Sequence, residues 1–302
     1  HAIYWAQRGI DDVTKRFDVT GPEGKPDGVL NLEEEEAAGG DFLKLRRIIY
    51  QSLQQACMQG RLITPPPAMN YGWNVDLITK ANESYEKQME AKRAEDSASG
   101  TDTGLAEHMS TGHKNFLRNA VYFLYVYNRK AEAAKWYKYM IDLYPKSIPV
   151  PDLTLDEYCV SRVQEDAGET DHNQTKAVIA GLLMQAFQFA AVGEDDQFVG
   201  HKALAIQLRN RFQREIGKST NRVGLPPFEE LEKQALDDLF RPASPYLPPS
   251  VLEQLRIALE LPQDYGKDLE PYALPSPIQG PMEDPTEERV QDPVPSPSPT
   301  PL

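Results

Sequence analysis

The sequence predicts an all-α fold, built as an array of antiparallel helix pairs and followed by a disordered Pro-rich tail. Apolar residues recur at spacings of three and four along most of the chain, whereas the alternation typical of a half-buried strand is not found. Prolines, glycines and helix-capping patterns separate the helical segments. At 302 residues with 40% hydrophobic content, the chain can build a sizeable buried core.

Two regions of different composition follow from these patterns. Residues 1–262 form the predicted helical domain, and residues 263–302 form an acidic, proline-rich tail with few bulky apolar side chains. The tail cannot bury enough apolar surface to offset the entropy of ordering it, so it is predicted to be disordered. Helices are expected at about 1–16, 41–60, 75–95, 113–128, 131–144, 155–166, 175–191, 196–216, 228–240 and 251–261.

The positions of the first helices are predicted from their apolar stripes and from the residues at which these helices begin and end. Asp41 can cap the free amides at the start of the second helix. The three prolines 65–67 prevent a helix from continuing, since proline has no amide hydrogen. In the third helix, Glu83 and Lys87 lie one turn apart and form a stabilising pair. The small, polar run 96–104 is then predicted to be a mobile loop.

An αα-hairpin is predicted at 112–145. Aromatic side chains recur there at helical spacings, the pattern is broken once at residues 128–130, and Pro145 ends the second helix. Two antiparallel helices joined by a tight polar turn bury their apolar faces only when neighbouring helices stack on both sides. The flanking helices are therefore expected to belong to the same array.

Capping boxes mark two later helices. Thr154 and Glu157 form a T-x-x-E pattern, in which each side chain satisfies a backbone amide, so a helix is predicted over 155–166. Ser250 and Glu253 form a similar pattern ahead of 251–261.

The hairpin at 112–145 resembles a tetratricopeptide repeat. The matching residues are Asn128 at the usual turn glycine, Ala133 at the small crossing position, Tyr137 at the aromatic position and Pro145 at the terminal proline. Leu117, Val121 and Met140 depart from the family pattern. A weaker copy lies at about 179–212, where Ala186, Phe189 and Gly193 fall on the small, aromatic and turn positions. The resemblance implies an α-solenoid-like fold.

The resemblance also implies a binding groove along the first helix of the hairpin. Its groove-facing residues would be Asn115, Arg118, Asn119, Tyr122 and Tyr125. Amides and tyrosines of this kind suit an interface with another protein or peptide. The alternative is that both tyrosine rings pack on the preceding helix with their hydroxyl groups in water.

The equivalent positions of the second pair are apolar throughout, and they are Leu183, Met184, Phe187, Ala190 and Ala191. A helix that is apolar on every side is expected to be buried on every side. We therefore expect the helices at 228–240 and 251–261 to cover this surface as a cap.

Charge argues against some partners. The formal net charge of −14 disfavours nucleic acid and anionic membranes, which bind positive surfaces. The acidity is uneven: the tail 263–302 carries eight Asp or Glu against two Lys or Arg, whereas the helix 207–222 is basic through Arg209, Arg211, Arg214 and Lys218. Three interpretations of this helix stay open: a solvated face, docking on an acidic partner or anionic surface, and attraction of the chain's own acidic tail.

The sequence contains no recognisable catalytic or metal-binding motif. The five histidines form no H-x-x-x-H pair, and the phosphate-binding and nucleophile-elbow motifs are absent. Cys57 and Cys159 have no metal-ligand spacing, and no apolar run is long enough to span a bilayer. No catalytic residue, metal or cofactor is therefore predicted.

The favoured interpretation is a non-catalytic helical scaffold for protein–protein interaction. One alternative is a helical enzyme or enzyme subunit with an apolar pocket near 180–191. Another is an envelope-associated structural protein tethered by a segment preceding His1, since the chain opens inside a predicted helix without an initiator methionine.

Overall fold

The computed structural model describes residues 1–16, 41–64, 70–100, 104–145, 153–167, 172–216 and 224–271. Within these ranges the protein is all-α, as predicted, apart from one short two-stranded sheet. The proline break at 65–67 and residues 272–302 of the predicted tail lie outside the described residues.

The helices follow the predicted order. They are α1 (Ala2–Arg16), α2 (Asp41–Met58), α3 (Ile78–Ser99), α4 (Leu105–Val126), α5 (Lys130–Leu143), α6 (Leu155–Ala167), α7 (His172–Ala191), α8 (Asp195–Ile216), α9 (Phe228–Phe240) and α10 (Pro249–Ala258). A 3₁₀-helix (Val75–Leu77) precedes α3, and strands β1 (Arg61–Thr64) and β2 (Asn70–Gly72) follow α2.

The antiparallel hairpin of β1 and β2 is not predicted by the sequence. Leu62 lies opposite Tyr71 in the hairpin, and both side chains are about half exposed. Strands this short, with apolar side chains on the solvent side, carry no alternation that a sequence pattern could show. The prediction of an exclusively helical chain is therefore wrong for this one element.

The predicted loop at 96–104 is wrong at its start, because α3 continues to Ser99. The Lys92 side chain is only 3% exposed and makes an ion pair with Asp96 one turn further on, at 3.3 Å. A buried ammonium needs a partner, and the helical conformation supplies one. The helix ends at Gly100, whose φ of 66° lies in the left-handed region.

Helix α4 begins at Leu105, earlier than the predicted start near 113. Leu105, Met109 and His113 are all buried and lie four residues apart, so the added turns extend the buried side of the helix. The hairpin is thus longer on its first helix than the repeat-like pattern suggests.

Helices α4 and α5 form one antiparallel pair, and α7 and α8 form another. The first helix of each pair ends in the same turn, with Asn128 at φ 60° and Gly193 at φ 75°. In both turns the next residue donates its amide hydrogen to a carbonyl five residues back, from Arg129 to Leu124 and from Glu194 to Phe189, at 2.9 Å each. Both turn positions agree with the prediction.

Gly200 allows α8 to lie directly on the end of α4. A Cβ atom at this position would lie 2.1 Å from the carbonyl oxygen of Val126. The close approach brings the two turns together, and the side-chain Nδ2 of Asn128 donates a hydrogen bond to Asp196 Oδ1 at 3.1 Å.

Helices α9 and α10 both pack on α7, which confirms the expected cap. Leu183, Phe187, Ala190 and Ala191 are buried, whereas Met184 is only partly buried. The predicted capping box of α10 is wrong: the helix starts at Pro249 after Pro248, and Glu253 pairs with Arg256 instead. A proline at the first helical position needs no amide partner, so Ser250 falls inside the first turn.

The folded chain extends beyond residue 262. The Tyr265 hydroxyl donates to Asp237 Oδ1 at 2.7 Å, and the Tyr265 ring packs against Phe240 at 5.2 Å. Residues 263–271 of the predicted tail therefore pack on α9.

Candidate functional site: a cleft between α6 and α8

The five residues of the predicted groove lie along α4 with very different exposure. Asn115 is exposed, Arg118, Asn119 and Tyr122 are partly buried, and Tyr125 is completely buried. The prediction that Tyr125 faces an open groove is wrong.

Helix α6 covers much of this row. The Tyr158 hydroxyl is hydrogen-bonded to the Arg118 side chain. Asn119 Oδ1 accepts a hydrogen bond from Arg162 at 3.4 Å. Tyr158, Cys159 and Val160 of α6 are buried. The apolar side of α6 therefore packs on the surface of α4 that is predicted to be an open groove.

The Tyr125 hydroxyl joins three helices. It donates a hydrogen bond to the Asp156 carboxylate on α6, and it lies 2.7 Å from Gln207 Oε1 on α8. Burial raises the pKa of Tyr125, and the Asp156 carboxylate raises it further. The phenol therefore stays protonated and acts as a fixed donor beneath the surface between α6 and α8.

A cleft of about 450 Å³ lies above this tyrosine, and we call it the α6–α8 cleft. Its lining residues are Asp156, Glu157 and Val160 from α6, and Gln207, Asn210, Arg211 and Arg214 from α8. One wall thus carries carboxylates and the other carries amides and guanidinium groups.

The carboxylates of the acidic wall are satisfied within the protein. Asp156 accepts from Tyr125. Glu157 Oε2 accepts from the Thr154 backbone amide at 3.0 Å, and Thr154 Oγ1 accepts from the Glu157 amide at 3.3 Å, which confirms the predicted capping box. The Thr154 hydrogen bonds lower the pKa of Glu157, with a smaller effect from Arg211 and Arg214.

The basic wall keeps open donors. Arg211 Nε donates to Glu215 at 3.0 Å, one turn along α8. Arg214 and Asn210 are both exposed, and neither makes a hydrogen bond or an ion pair with another described residue. These two side chains are therefore available to an acceptor that enters the cleft.

A second cleft, which we call the turn cleft, lies where the two helix pairs turn. It also has a volume of about 450 Å³, and its lining includes Arg61, Asp76, Arg129, Glu194 and Asp196. Arg61 pairs with Glu194, and Arg129 pairs with Asp76 at 2.6 Å. Both arginines of this cleft therefore already have carboxylate partners.

Burial keeps the two cysteines and two of the histidines of the described chain uncharged near pH 7. Burial raises the pKa of both cysteine thiols, Cys57 to about 12. Burial also lowers the pKa of His113 and of His201 to about 4, so both rings are neutral near pH 7. Across the described ranges, no cluster of three or more His, Cys, Asp or Glu side chains could hold a metal ion.

Tyr125 belongs to the predicted groove, and Gln207 belongs to the predicted basic helix. Their side chains meet at the α6–α8 cleft. Asp156, Gln207 and Asn210 are missed by sequence reasoning. The signal for the α8 wall is nonetheless present, because its four polar lining residues, Gln207, Asn210, Arg211 and Arg214, recur at spacings of three, one and three. For Asp156 there is no comparable local signal.

Comparison with protein-family models, curated proteins and solved structures gives no match. None of the helices in the described ranges combines the length and the apolarity needed to cross a membrane.

Proposed function

We propose that this protein is a non-catalytic helical scaffold that binds an acidic segment of another polypeptide in the α6–α8 cleft. The observation that carries the proposal is the difference between its two walls. Asp156 and Glu157 already accept hydrogen bonds within the protein, whereas Arg214 and Asn210 have no such partner among the described residues. A ligand with carboxylate groups satisfies the open side.

The carboxylates of the cleft favour a polypeptide ligand, in which acidic residues are separated by neutral ones, over a nucleic acid. Nucleic-acid backbones present regularly spaced phosphates and bind extended basic surfaces. Here two carboxylates stand across the cleft from Arg211 and Arg214, and the chain has a net charge of −14. An arginine can bind a single carboxylate through two parallel hydrogen bonds, which fits a cleft with one open guanidinium.

The resemblance to tetratricopeptide repeats supports a polypeptide ligand held between helix pairs. In this chain α6 covers the predicted groove residues of α4. The proposed site therefore lies on the surface between α6 and α8. A helical enzyme with a pocket near 180–191 has less support, because α9 and α10 cover α7 and Leu183 and Phe187 are buried there.

The test uses a fluorescein-labelled decapeptide of alternating Glu and Ser, with Lys–Ser and Gln–Ser decapeptides for comparison. Fluorescence anisotropy with the full chain at low salt is expected to show saturable binding of the Glu–Ser peptide, weakened by added salt. Loss of an exposed charge-assisted hydrogen bond should make Arg214→Gln bind about tenfold more weakly.

The matched control is Arg8→Gln, which removes an exposed arginine from α1, a helix that packs on α2. This variant should bind the Glu–Ser peptide like the unmodified chain. Equal binding of all three peptides, or unchanged binding by Arg214→Gln, would contradict the proposal.

A further inference from the structure

We propose that the acidic C-terminal segment 283–292 of this chain occupies the α6–α8 cleft in the free protein and is displaced by the partner's segment. This inference rests on the proposed function, since it concerns regulation of the same cleft.

Charge complementarity is the first argument. Residues 283–292 carry five carboxylates, Glu283, Asp284, Glu287, Glu288 and Asp292, against one arginine. The basic wall of the cleft presents Arg214 and Asn210 without partners in the described chain. Guanidinium and amide donors of this kind are what a carboxylate-rich segment needs.

The position at which the described chain ends is the second argument. Arg241 Nη1 at the end of α9 donates to the carbonyl oxygen of Glu270 at 3.4 Å, which holds the chain end against α9. The residues that lead into α9 run beside α8: Arg209 donates to the carbonyl oxygen of Pro226, and Gln213 donates to that of Leu225, at 2.7 and 2.8 Å. Helix α9 thus starts beside the half of α8 that lines the cleft.

The length of chain between Pro271 and Glu283 is sufficient. An extended chain spans at most about 3.5 Å per residue, so the twelve residues from 272 to 283 reach about 40 Å. Helix α9 has 13 residues and is about 20 Å long, so its end lies about that far from the half of α8 beside which it starts. The segment can therefore reach the cleft from the end of α9.

Tethering makes a weak contact effective. A segment joined to its site by a short linker has an effective concentration of about a millimolar, so even a low intrinsic affinity gives substantial occupancy. An external acidic peptide must compete against that concentration. Only a partner with sufficient affinity or concentration then displaces the tail from the cleft.

The competition is tested in the full-length chain. The variant carries Glu283→Gln, Asp284→Asn, Glu287→Gln, Glu288→Gln and Asp292→Asn, which removes the charge and keeps the length. It is expected to bind the Glu–Ser decapeptide about tenfold more tightly than the unmodified chain. Adding Arg214→Gln to the five changes should abolish that gain. Equal affinity of the two chains for the peptide would overturn the inference and leave the proposed function standing.

Occupancy is tested separately by photocrosslinking. Benzoylphenylalanine replaces Val290 in the full chain, and mass spectrometry identifies the crosslinked peptides after irradiation. Crosslinks to residues 156–160 or 207–214 are expected, with a decrease when Arg214→Gln is added. Crosslinks confined to other parts of the chain would overturn the inference. If the decapeptide binds neither chain, the proposed function fails, and the crosslinks alone still decide where the tail lies.

Discussion

The α6–α8 cleft and the turn cleft have nearly the same volume and both combine arginines with carboxylates, yet they use these charges differently. In the turn cleft each arginine joins two elements: Arg61 of β1 pairs with Glu194 at the start of α8, and Arg129 at the start of α5 pairs with Asp76 of the 3₁₀-helix. In the α6–α8 cleft, Arg214 pairs with no described residue. Charges committed to one another hold elements in place, whereas uncommitted charges remain for a ligand.

The change with the largest expected effect is Gly200→Ala, because it disturbs both clefts together. The new Cβ would lie 2.1 Å from the Val126 carbonyl oxygen and 3.0 Å from the Asn128 nitrogen, and both are backbone atoms that cannot rotate away. Helix α8 would have to move off the end of α4. We expect the free energy of unfolding to fall by about 3 kcal/mol, measured by urea denaturation.

Gly181→Ala is the matched control for this change. Gly181 is exposed on α7, and a Cβ atom there would meet no other atom within 4 Å. Alanine is the better helix former, so stability should rise by about 0.5–1 kcal/mol. Equal effects of the two substitutions would show that helix propensity, and not the contact with α4, determines the cost at Gly200.

The next prediction concerns the response of the turn cleft to acid. His201 is buried beside the turn cleft, where its Nδ1 lies 2.7 Å from the carbonyl oxygen of Gln197. Burial lowers the pKa of His201 from 6.5 to about 4. Between these two values the unfolded state binds a proton that folded His201 does not, so stability is lost as the pH falls from about 6.5 toward 4. At about pH 5 this loss amounts to roughly 2 kcal/mol.

Urea denaturation at about pH 7 and pH 5 measures this loss. In His201→Gln the difference between the two pH values should be smaller by roughly 2 kcal/mol than in the unmodified chain. Replacement of the exposed His108 by Gln should leave the difference as it is. An unchanged pH dependence in His201→Gln would show that this ring does not resist protonation.

The comparison also shows which features a sequence can reveal. The helices, the two turns at Asn128 and Gly193 and the Thr154–Glu157 capping box depend on residues close in the chain, and all were predictable. The cap of α9 and α10 is predictable as well, because the apolar positions in the second half of α7 need to be covered.

The candidate site depends on contacts between distant residues. Tyr125 meets Asp156 and Gln207, which lie 31 and 82 positions away. A repeat-like pattern predicts that the first helix of a pair forms a groove, but it does not indicate which later helix fills that groove. The sequence pattern therefore predicts the exposure of Tyr125 wrongly, whereas Arg214, a lining residue of the cleft, belongs to a local basic pattern that indicates a docking face.

The last prediction, with the smallest effect on stability, compares one arginine from each cleft. Arg129 contacts Glu132 through two hydrogen bonds, at 2.6 and 2.7 Å, and Asp76 at 2.6 Å. These groups are partly or largely exposed, so Arg129→Gln should lower the free energy of unfolding by about 0.5–1 kcal/mol. Arg214→Gln removes no contact with a described residue, and its stability should change by less than about 0.5 kcal/mol.

Affinity for the Glu–Ser decapeptide should show the reverse order. Arg129→Gln should bind the peptide like the unmodified chain, because its guanidinium is held by its own carboxylate partners, whereas Arg214→Gln should bind it about tenfold more weakly. Urea denaturation and fluorescence anisotropy on the same two protein preparations measure both quantities. If Arg129→Gln weakened peptide binding as much as Arg214→Gln does, the attraction would come from the overall field of the protein, and the distinction between committed and open charges would not hold.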